Sequence, residues 1–182
     1  MGKSAVAAMF ADEAIPVFDA DATVHRLQGV GGRLVGPIEA AFPGTVKDGA
    51  VDRATLGAAV FGNESAIKRL EAIVHPAVGE ERAAFLARHA GKLVVFDVPL
   101  LFETGGDQNV DLVVVVSAAP DIQRHRVLAR PGMTADKFAA ILVRQIPDAE
   151  KRARAHHVIR TDTRFDDTRA QVRAVIASVQ SR

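Results

Sequence analysis

The amino end of the chain carries the tripeptide Gly2-Lys3-Ser4, followed directly by an Ala-rich run, residues 5–14, with helical spacing. Gly-Lys-Ser closes the Walker A pattern G-x-x-x-x-G-K-[ST], in which backbone N–H groups surround phosphates, the lysine neutralises them and the hydroxyl binds Mg²⁺. A helix that begins there adds free N–H groups and its dipole to the phosphate site. The tripeptide therefore predicts a phosphate-binding loop that leads into the first helix.

Only the end of that pattern is in the sequence. The first glycine should stand five residues before Gly2, and the strand that leads into the loop should stand earlier still. We therefore expect a chain that is truncated or misassigned at its start, with the first strand and half of the loop upstream of Met1.

The composition restricts the class of protein and of partner. The 182 residues suit one domain, 48% are hydrophobic, 25% are charged, and the formal net charge is +1. These values are typical of a globular chain without an overall basic field for nucleic acid. Cys is absent, and no apolar run approaches the roughly 18 residues of a membrane span. We expect a cytoplasmic protein that binds small anions, with neither nucleic acid nor membrane as a partner.

Short apolar runs that end near acidic residues indicate strands of an α/β fold. Continuous β-branched runs are typical of parallel strands that are covered on both faces. Ligands bind at the carboxyl ends of such strands, so acids there are site candidates. The runs are residues 15–18, 93–96 and 112–116, and the acids are Asp19, Asp21 and Asp97.

The region between residues 23 and 91 has a helical pattern, interrupted by Gly-rich turns, and we predict no strand in it. About 70 residues are too many for one crossover, which takes about 30, so we expect an inserted helical lobe. Within it, His75-Pro76 is expected to end a helix. Further helices are predicted over residues 120–128, 134–146, 147–155 and 165–179, with a brief strand at residues 158–159.

Several stretches, in order and at similar spacing over essentially the whole chain, resemble the dephospho-CoA kinase family. They are Gly2-Lys3-Ser4, residues 17–21, 51–53, 70–76, 97–103 and 130–134, and Arg144-Gln145. The resemblance implies a single P-loop kinase domain over residues 1–182, with a parallel sheet flanked by helices. It also implies an inserted helical coenzyme A lobe at about residues 23–91 and a lid at about residues 124–150.

The resemblance implies an activity, ATP-dependent phosphorylation of the ribose 3′-hydroxyl of dephospho-CoA to give CoA and ADP, the last step of coenzyme A synthesis. ATP and Mg²⁺ are the implied cofactors, and dephospho-CoA is the small-molecule partner. For the oligomeric state we expect a monomer or a weak homo-oligomer. Two other functions stay open: another P-loop kinase for a nucleoside or nucleotide, and a truncated dephospho-CoA binder without catalysis.

The resemblance also assigns roles to residues. Met1, Gly2, Lys3 and Ser4 are expected on the ATP phosphates, with Ser4 and Asp97 on Mg²⁺. Asp21 is the expected general base, assisted by Lys3, Arg130 and Arg144 as catalytic charges. The residues expected at the substrate are Asp19, His75, Pro99, Leu100, Phe102 and Glu103.

Each assignment has a simpler alternative. An aspartate after a strand often only caps the next helix, and a lone histidine is more often structural. Asp97 could bond only to the following turn, and residues 99–103 could be only a tight turn. Arginines usually lie on solvated helix faces, which is where we expect Arg126, Arg152 and Arg154, while Arg124 is a further candidate for the lid.

Overall fold

A computed structural model of the chain describes residues 2–143 and 145–181. The helices are α1 (Lys3–Asp12), α2 (Ala20–Gln28), α3 (Val35–Ala41), α4 (Arg53–Val60), α5 (Glu64–Arg88), α6 (Pro120–Leu128), α7 (Ala135–Val143), α8 (Asp148–Arg154) and α9 (Phe165–Gln180). The strands are β1 (Val17–Asp19), β2 (Val46–Lys47), β3 (Ala50–Val51), β4 (Val95–Asp97), β5 (Val114–Ser117) and β6 (His157–Arg160), and Gly106–Asn109 form a 3₁₀ turn.

The strands pair in twos. β5 and β6 are parallel, with Val115 opposite Val158 and Val116 opposite Ile159, and β1 pairs with β4. Ile159 is completely buried, as expected of a parallel strand that is covered on both faces. The expected α/β class with parallel strands and flanking helices is therefore confirmed.

The chain divides into two compact units, and the first consists of Met1–Val17 and Asp97–Arg182. Its core forms where α9 packs against α1 and β6. The apolar stripe of α1 is buried there, as the helical spacing predicts, and α1 begins at Lys3. Arg169 and Arg173 of α9 hold the end of α1 through ion pairs with Asp12 (2.9 Å) and Glu13 (2.7 Å).

The second unit is the continuous segment Phe18–Phe96, and it is mainly helical. One hydrophobic core lies among α2, α3, α4 and α5 and contains Leu27, Leu34, Ile38, Phe42, Val51, Leu56, Ala66 and Ala77. A separate aromatic cluster joins Phe85 of α5 to Phe18 at 5.5 Å and to Phe96 at 6.0 Å between ring centroids.

The prediction of no strand in this region was wrong. β2 and β3 form an antiparallel hairpin in which Val46 pairs with Val51. The turn residues Asp48 and Gly49 have φ values of 51° and 77°. Asp-Gly with positive φ at both positions is the two-residue hairpin turn whose twist matches that of the strands.

The expected helix end at His75-Pro76 was also wrong, because α5 continues through Pro76 to Arg88. Proline removes one helical hydrogen bond and crowds the preceding turn. Buried side chains on both sides, Ala66 and Ala77, continue the same packed face, which compensates for that loss. The Arg33 guanidinium also donates a hydrogen bond to the Ala77 carbonyl just beyond the proline.

Candidate active site

The amino end of α1 has a left-handed glycine followed by free amides of the first helical turn. Gly2 has a φ of 89°, in the left-handed region that favours glycine, and its carbonyl accepts the Val6 N–H at 3.0 Å. A Cβ at Gly2 would lie 3.3 Å from the Thr161 methyl group. The amides of the first turn have no acceptor within the helix, and the side chain of Ser4 is exposed beside them. Met1 lies outside the described residues.

Lys3 and Asp97, which the sequence singles out separately, contact each other. The Lys3 Nζ donates a hydrogen bond to Oδ1 of Asp97, the last residue of β4. The Asp97 side chain is 4% exposed, whereas that of Lys3 is 42% exposed. A buried carboxylate needs a charged partner, and here the Lys3 ammonium supplies it. Asp97 therefore sits in a place that already holds a cation.

The two acids after β1 have different surroundings. Asp19 is the N-cap of α2: its Oδ1 accepts the Ala22 N–H at 2.9 Å, and its carbonyl accepts the Thr23 hydroxyl at 2.8 Å. Asp21 lies in the first turn of α2 and is exposed. Within residues 2–143 and 145–181, no hydrogen bond or ion pair engages the Asp21 side chain. Asp21 is therefore the acid whose carboxylate is available.

The segment after β4 turns sharply at residues 99–105. Leu100 has a φ of 57° and is 42% exposed, and its carbonyl accepts the Thr104 hydroxyl at 3.0 Å. The Phe102 side chain points into a small core with Val113 and Val115, whereas Pro99 is exposed. Pro99 and Leu100 are thus accessible at this turn, and Phe102 is not.

Glu103 ends this turn and is held by groups from further along the chain. Its Oε1 accepts the Ile146 N–H at 3.0 Å and pairs with the Lys151 ammonium at 2.7 Å. Burial raises the pKa of Glu103, but the hydrogen bonds from Lys151 and from backbone amides outweigh burial and lower the pKa overall. Lys151 was not foreseen; the sequence predicts only a short helix over residues 147–155 and gives no sign of this pairing.

The arginines of the expected lid have mixed surroundings. Arg130 follows α6 and is exposed, and no partner for its guanidinium occurs in the described part of the chain; the same holds for Arg124. Arg126 donates to the Thr161 carbonyl at 2.9 Å, and Arg154 lies over the Phe102 ring at 4.3 Å. Arg126 and Arg154 are both exposed, as expected of a solvated helix face, and each makes one of these contacts in addition. Arg144 lies outside the described residues.

A shallow groove of about 340 Å³ crosses the second unit between α3 and α5. It is lined by Arg33, Leu34, Pro37, Ala72, Ile73, Pro76, Ala77 and Glu80. His75 lies next to this lining in the sequence and is exposed on α5.

Where the chain is described, no three His, Asp or Glu side chains gather as metal ligands, and no helix has the length and apolarity to cross a membrane.

Comparison with known proteins gives a consistent result. The family model described as dephospho-CoA kinase matches residues 1–167. The dephospho-CoA kinase of Novosphingobium aromaticivorans is 56% identical over 183 residues, covering 100% of this chain and 91% of the relative. That of Mesorhizobium japonicum is 57% identical, with 97% and 90% covered.

Solved structures show the same fold. The crystal structure of TT1252 from Thermus thermophilus superposes with a TM-score of 0.84 at 33% identity, covering 97% of this chain and 91% of that one. A dephospho-CoA kinase from Campylobacter jejuni superposes with a TM-score of 0.69 at 26% identity, covering 98% and 91%.

Proposed function

Since the chain belongs to the dephospho-CoA kinase family, we propose that the residues described above transfer the γ-phosphoryl group of ATP to the ribose 3′-hydroxyl of dephospho-CoA, giving CoA and ADP. The contact between Lys3 and Asp97 is the observation that carries this proposal. It joins the lysine of a phosphate loop to a buried acid at a strand end, which is the pairing of parts that P-loop phosphoryl transfer uses.

The phosphates of ATP bind at the amino end of α1 in this proposal. The free amides of the first turn donate to phosphate oxygens, and the Lys3 ammonium neutralises their charge. Gly2 permits the left-handed backbone that leads into the helix. Met1 is assigned to the same phosphate contacts from the sequence alone.

Mg²⁺ fits the oxygen groups at this end of the first unit. Asp97 offers a buried carboxylate that already holds a cationic group, and Ser4 offers an exposed hydroxyl. Such hard oxygen ligands suit Mg²⁺, which keeps several waters and takes few protein ligands. When bound, the ion neutralises charge on the phosphates.

Asp21 is the general base in this proposal. Phosphoryl transfer to an alcohol requires a carboxylate that accepts the hydroxyl proton as the P–O bond forms. The exposed, unengaged carboxylate of Asp21 can accept that proton, whereas Asp19 is occupied as the cap of α2. Asp19 then keeps Asp21 in place at the edge of the substrate site.

Positive charge for the transferring group comes from the segment we propose as a lid, at about residues 124–150. The exposed Arg130 guanidinium can bind a phosphoryl oxygen without breaking an existing interaction in the described chain. Arg144 is assigned to the same role from the sequence. Closure of such a segment excludes water from the reacting phosphate.

The acceptor binds to the helical lobe at about residues 23–91 and to the turn at residues 99–103. The groove between α3 and α5, with His75 beside it, supports the assignment of the lobe. At the turn, Pro99 and Leu100 offer accessible apolar surface, and the buried Phe102 and the partly buried Glu103 support the turn from inside.

We also propose a single kinase domain and a monomer or weak homo-oligomer. A cytoplasmic location is proposed as well, in keeping with the near-neutral, Cys-free composition.

A direct assay tests the proposal. The full chain is mixed with ATP, Mg²⁺ and dephospho-CoA, and CoA and ADP are separated by chromatography. We expect equal amounts of CoA and ADP, and little transfer to nucleosides or nucleoside monophosphates. Binding of dephospho-CoA by calorimetry without transfer would instead support a non-catalytic binder, and preference for a nucleoside acceptor would identify another kinase.

A further inference from the structure

Side chains of helix α8 contact the turn at residues 99–105 and two neighbouring segments of the chain. Besides the contacts of Glu103, the Arg154 guanidinium lies over Phe102 and donates to Asp107 at 3.1 Å. At its other end, α8 is held to β5 by the Ser117 hydroxyl, which donates to Asp148 at 2.8 Å. These contacts join α8 to Phe102 of the turn, to Asp107 of the 3₁₀ segment and to β5.

Glu103 contacts both α8 and the backbone just before it. Its Oε1 receives both the Ile146 amide and the Lys151 ammonium, and Ile146 also packs against the core around Phe102. The side chains of Glu103 and Lys151 are only 13% and 14% exposed, so water competes weakly for the pair. Glu103 thereby fixes both the backbone just before α8 and the helix itself.

The remaining oxygen of Glu103, Oε2, is buried and has no partner in the described residues. Burial keeps Oε2 away from a ligand, and Oε1 is already occupied by the Ile146 amide and the Lys151 ammonium. Glu103 therefore acts on other parts of the protein, and any effect it has on the reaction passes through residues that it positions.

We propose that Glu103 is a positioning residue for the phosphoryl acceptor: through Lys151 and the Ile146 amide it joins the end of the lid segment to the turn that carries Pro99 and Leu100. This inference rests on the proposed function, which places the acceptor at that turn and the lid at about residues 124–150. A displacement of about 1 Å in a substrate-positioning group can lower the rate by about a hundredfold. Glu103 belongs to the turn at which the acceptor is proposed to bind, whereas the ATP phosphates are assigned to the amino end of α1, so we expect loss of this anchor to affect the acceptor more than ATP.

Three variants test the proposal by steady-state kinetics with dephospho-CoA and ATP. Glu103→Gln keeps an oxygen for the Ile146 amide but loses the charge, and Lys151→Gln removes the charge from the other side. The matched control is Arg152→Gln, which breaks the ion pair between Arg152 and Asp148 within α8 and leaves the turn alone. Thermal melts establish that each variant is folded at the assay temperature.

We expect KM for dephospho-CoA to rise about tenfold in Glu103→Gln and Lys151→Gln, while KM for ATP stays within about twofold and Arg152→Gln behaves as the parent. A merely structural role lowers the active fraction and leaves both KM values unchanged, so that result would overturn the inference, as would equal changes in both. Absence of transfer by the parent chain would refute the proposed function itself.

Discussion

The tripeptide Val-Phe-Asp forms two strands of this molecule, β1 at Val17–Asp19 and β4 at Val95–Asp97, and the two aspartates have different functions. Asp19 accepts the Ala22 N–H and caps a helix that begins at once. Within residues 2–143 and 145–181 Asp97 caps no helix; it is buried and holds the Lys3 ammonium. Identical strand ends thus give a structural acid in one place and a charge-binding acid in the other.

The residues that follow each strand explain the difference. After Asp19 come Ala20, Asp21 and Ala22, which continue as a helix whose third amide lies within reach of the cap. After Asp97 comes Val98-Pro99, and a proline disfavours helical backbone at the residue before it. No helix starts there, so helix amides do not engage the Asp97 carboxylate, and its Oδ1 accepts a hydrogen bond from the Lys3 ammonium instead.

The largest effect is expected for Asp21→Asn, which removes the proposed base and leaves the cap of α2 in place. General base catalysis contributes about 10²- to 10⁴-fold, so kcat should fall by that factor while the melting temperature stays close to that of the parent. Single-turnover measurement of CoA formation checks this, because it separates chemistry from product release.

Asp19→Asn is the matched comparison, since asparagine caps a helix about as well as aspartate. We expect its loss of kcat to stay below about tenfold. If Asp19→Asn were as inactive as Asp21→Asn, the division of roles between the two acids would be wrong. If Asp21→Asn kept most of its activity, another group would be the base.

Lys3→Gln is expected to have the next largest effect. Glutamine can offer Asp97 only a neutral donor, so the buried carboxylate loses its charged partner and we expect a lower melting temperature as well. The proposed charge for the phosphates is lost too, so turnover is measured at a temperature at which the variant is folded. Removal of one electrostatic donor typically costs about 10²- to 10³-fold in rate. Turnover and ATP titrations measure the change, and Lys92→Gln, at an exposed lysine of the second unit, makes the same charge change as a control.

The sequence predicts those parts of the fold whose signals are local. Proline at the first position and Arg130-Pro131-Gly132 after the end predict α6 with both bounds correct. Where packing between distant residues determines the structure, a local signal gave a wrong prediction. Pro76 predicts the end of a helix, but α5 continues through it because the buried face of the helix continues on both sides. The hairpin at residues 46–51 was missed although Asp48-Gly49 indicates one. The pairing of Glu103 with Lys151 joins residues 48 positions apart, and no local pattern reports it.

Asp19→Ala should change stability more than Asp19→Asn does. Loss of an N-cap oxygen typically lowers the free energy of unfolding by about 1 kcal/mol, because the first-turn amide then loses its acceptor. Urea denaturation of both variants checks this at neutral pH. Equal stability of Asp19→Ala and the parent would show that the bond to the Ala22 amide is dispensable and that Asp19 is retained for another reason.

The smallest effect is expected from pH, at the turn that follows the second Val-Phe-Asp strand. The pKa of Glu103 lies below its ordinary value of 4.5, so the pairing with Lys151 stabilises the fold above about pH 4.5 and loses that contribution as pH falls through the lowered pKa. The free energies of unfolding in urea of the parent and of Glu103→Gln should therefore differ most near neutral pH and converge on acidification.

Glu64→Gln, which breaks an exposed pair with Lys68, is the control and should differ little from the parent at either pH. A gap between the parent and Glu103→Gln that widens on acidification would contradict the charge pairing, because protonation of Glu103 removes the interaction that the variant lacks.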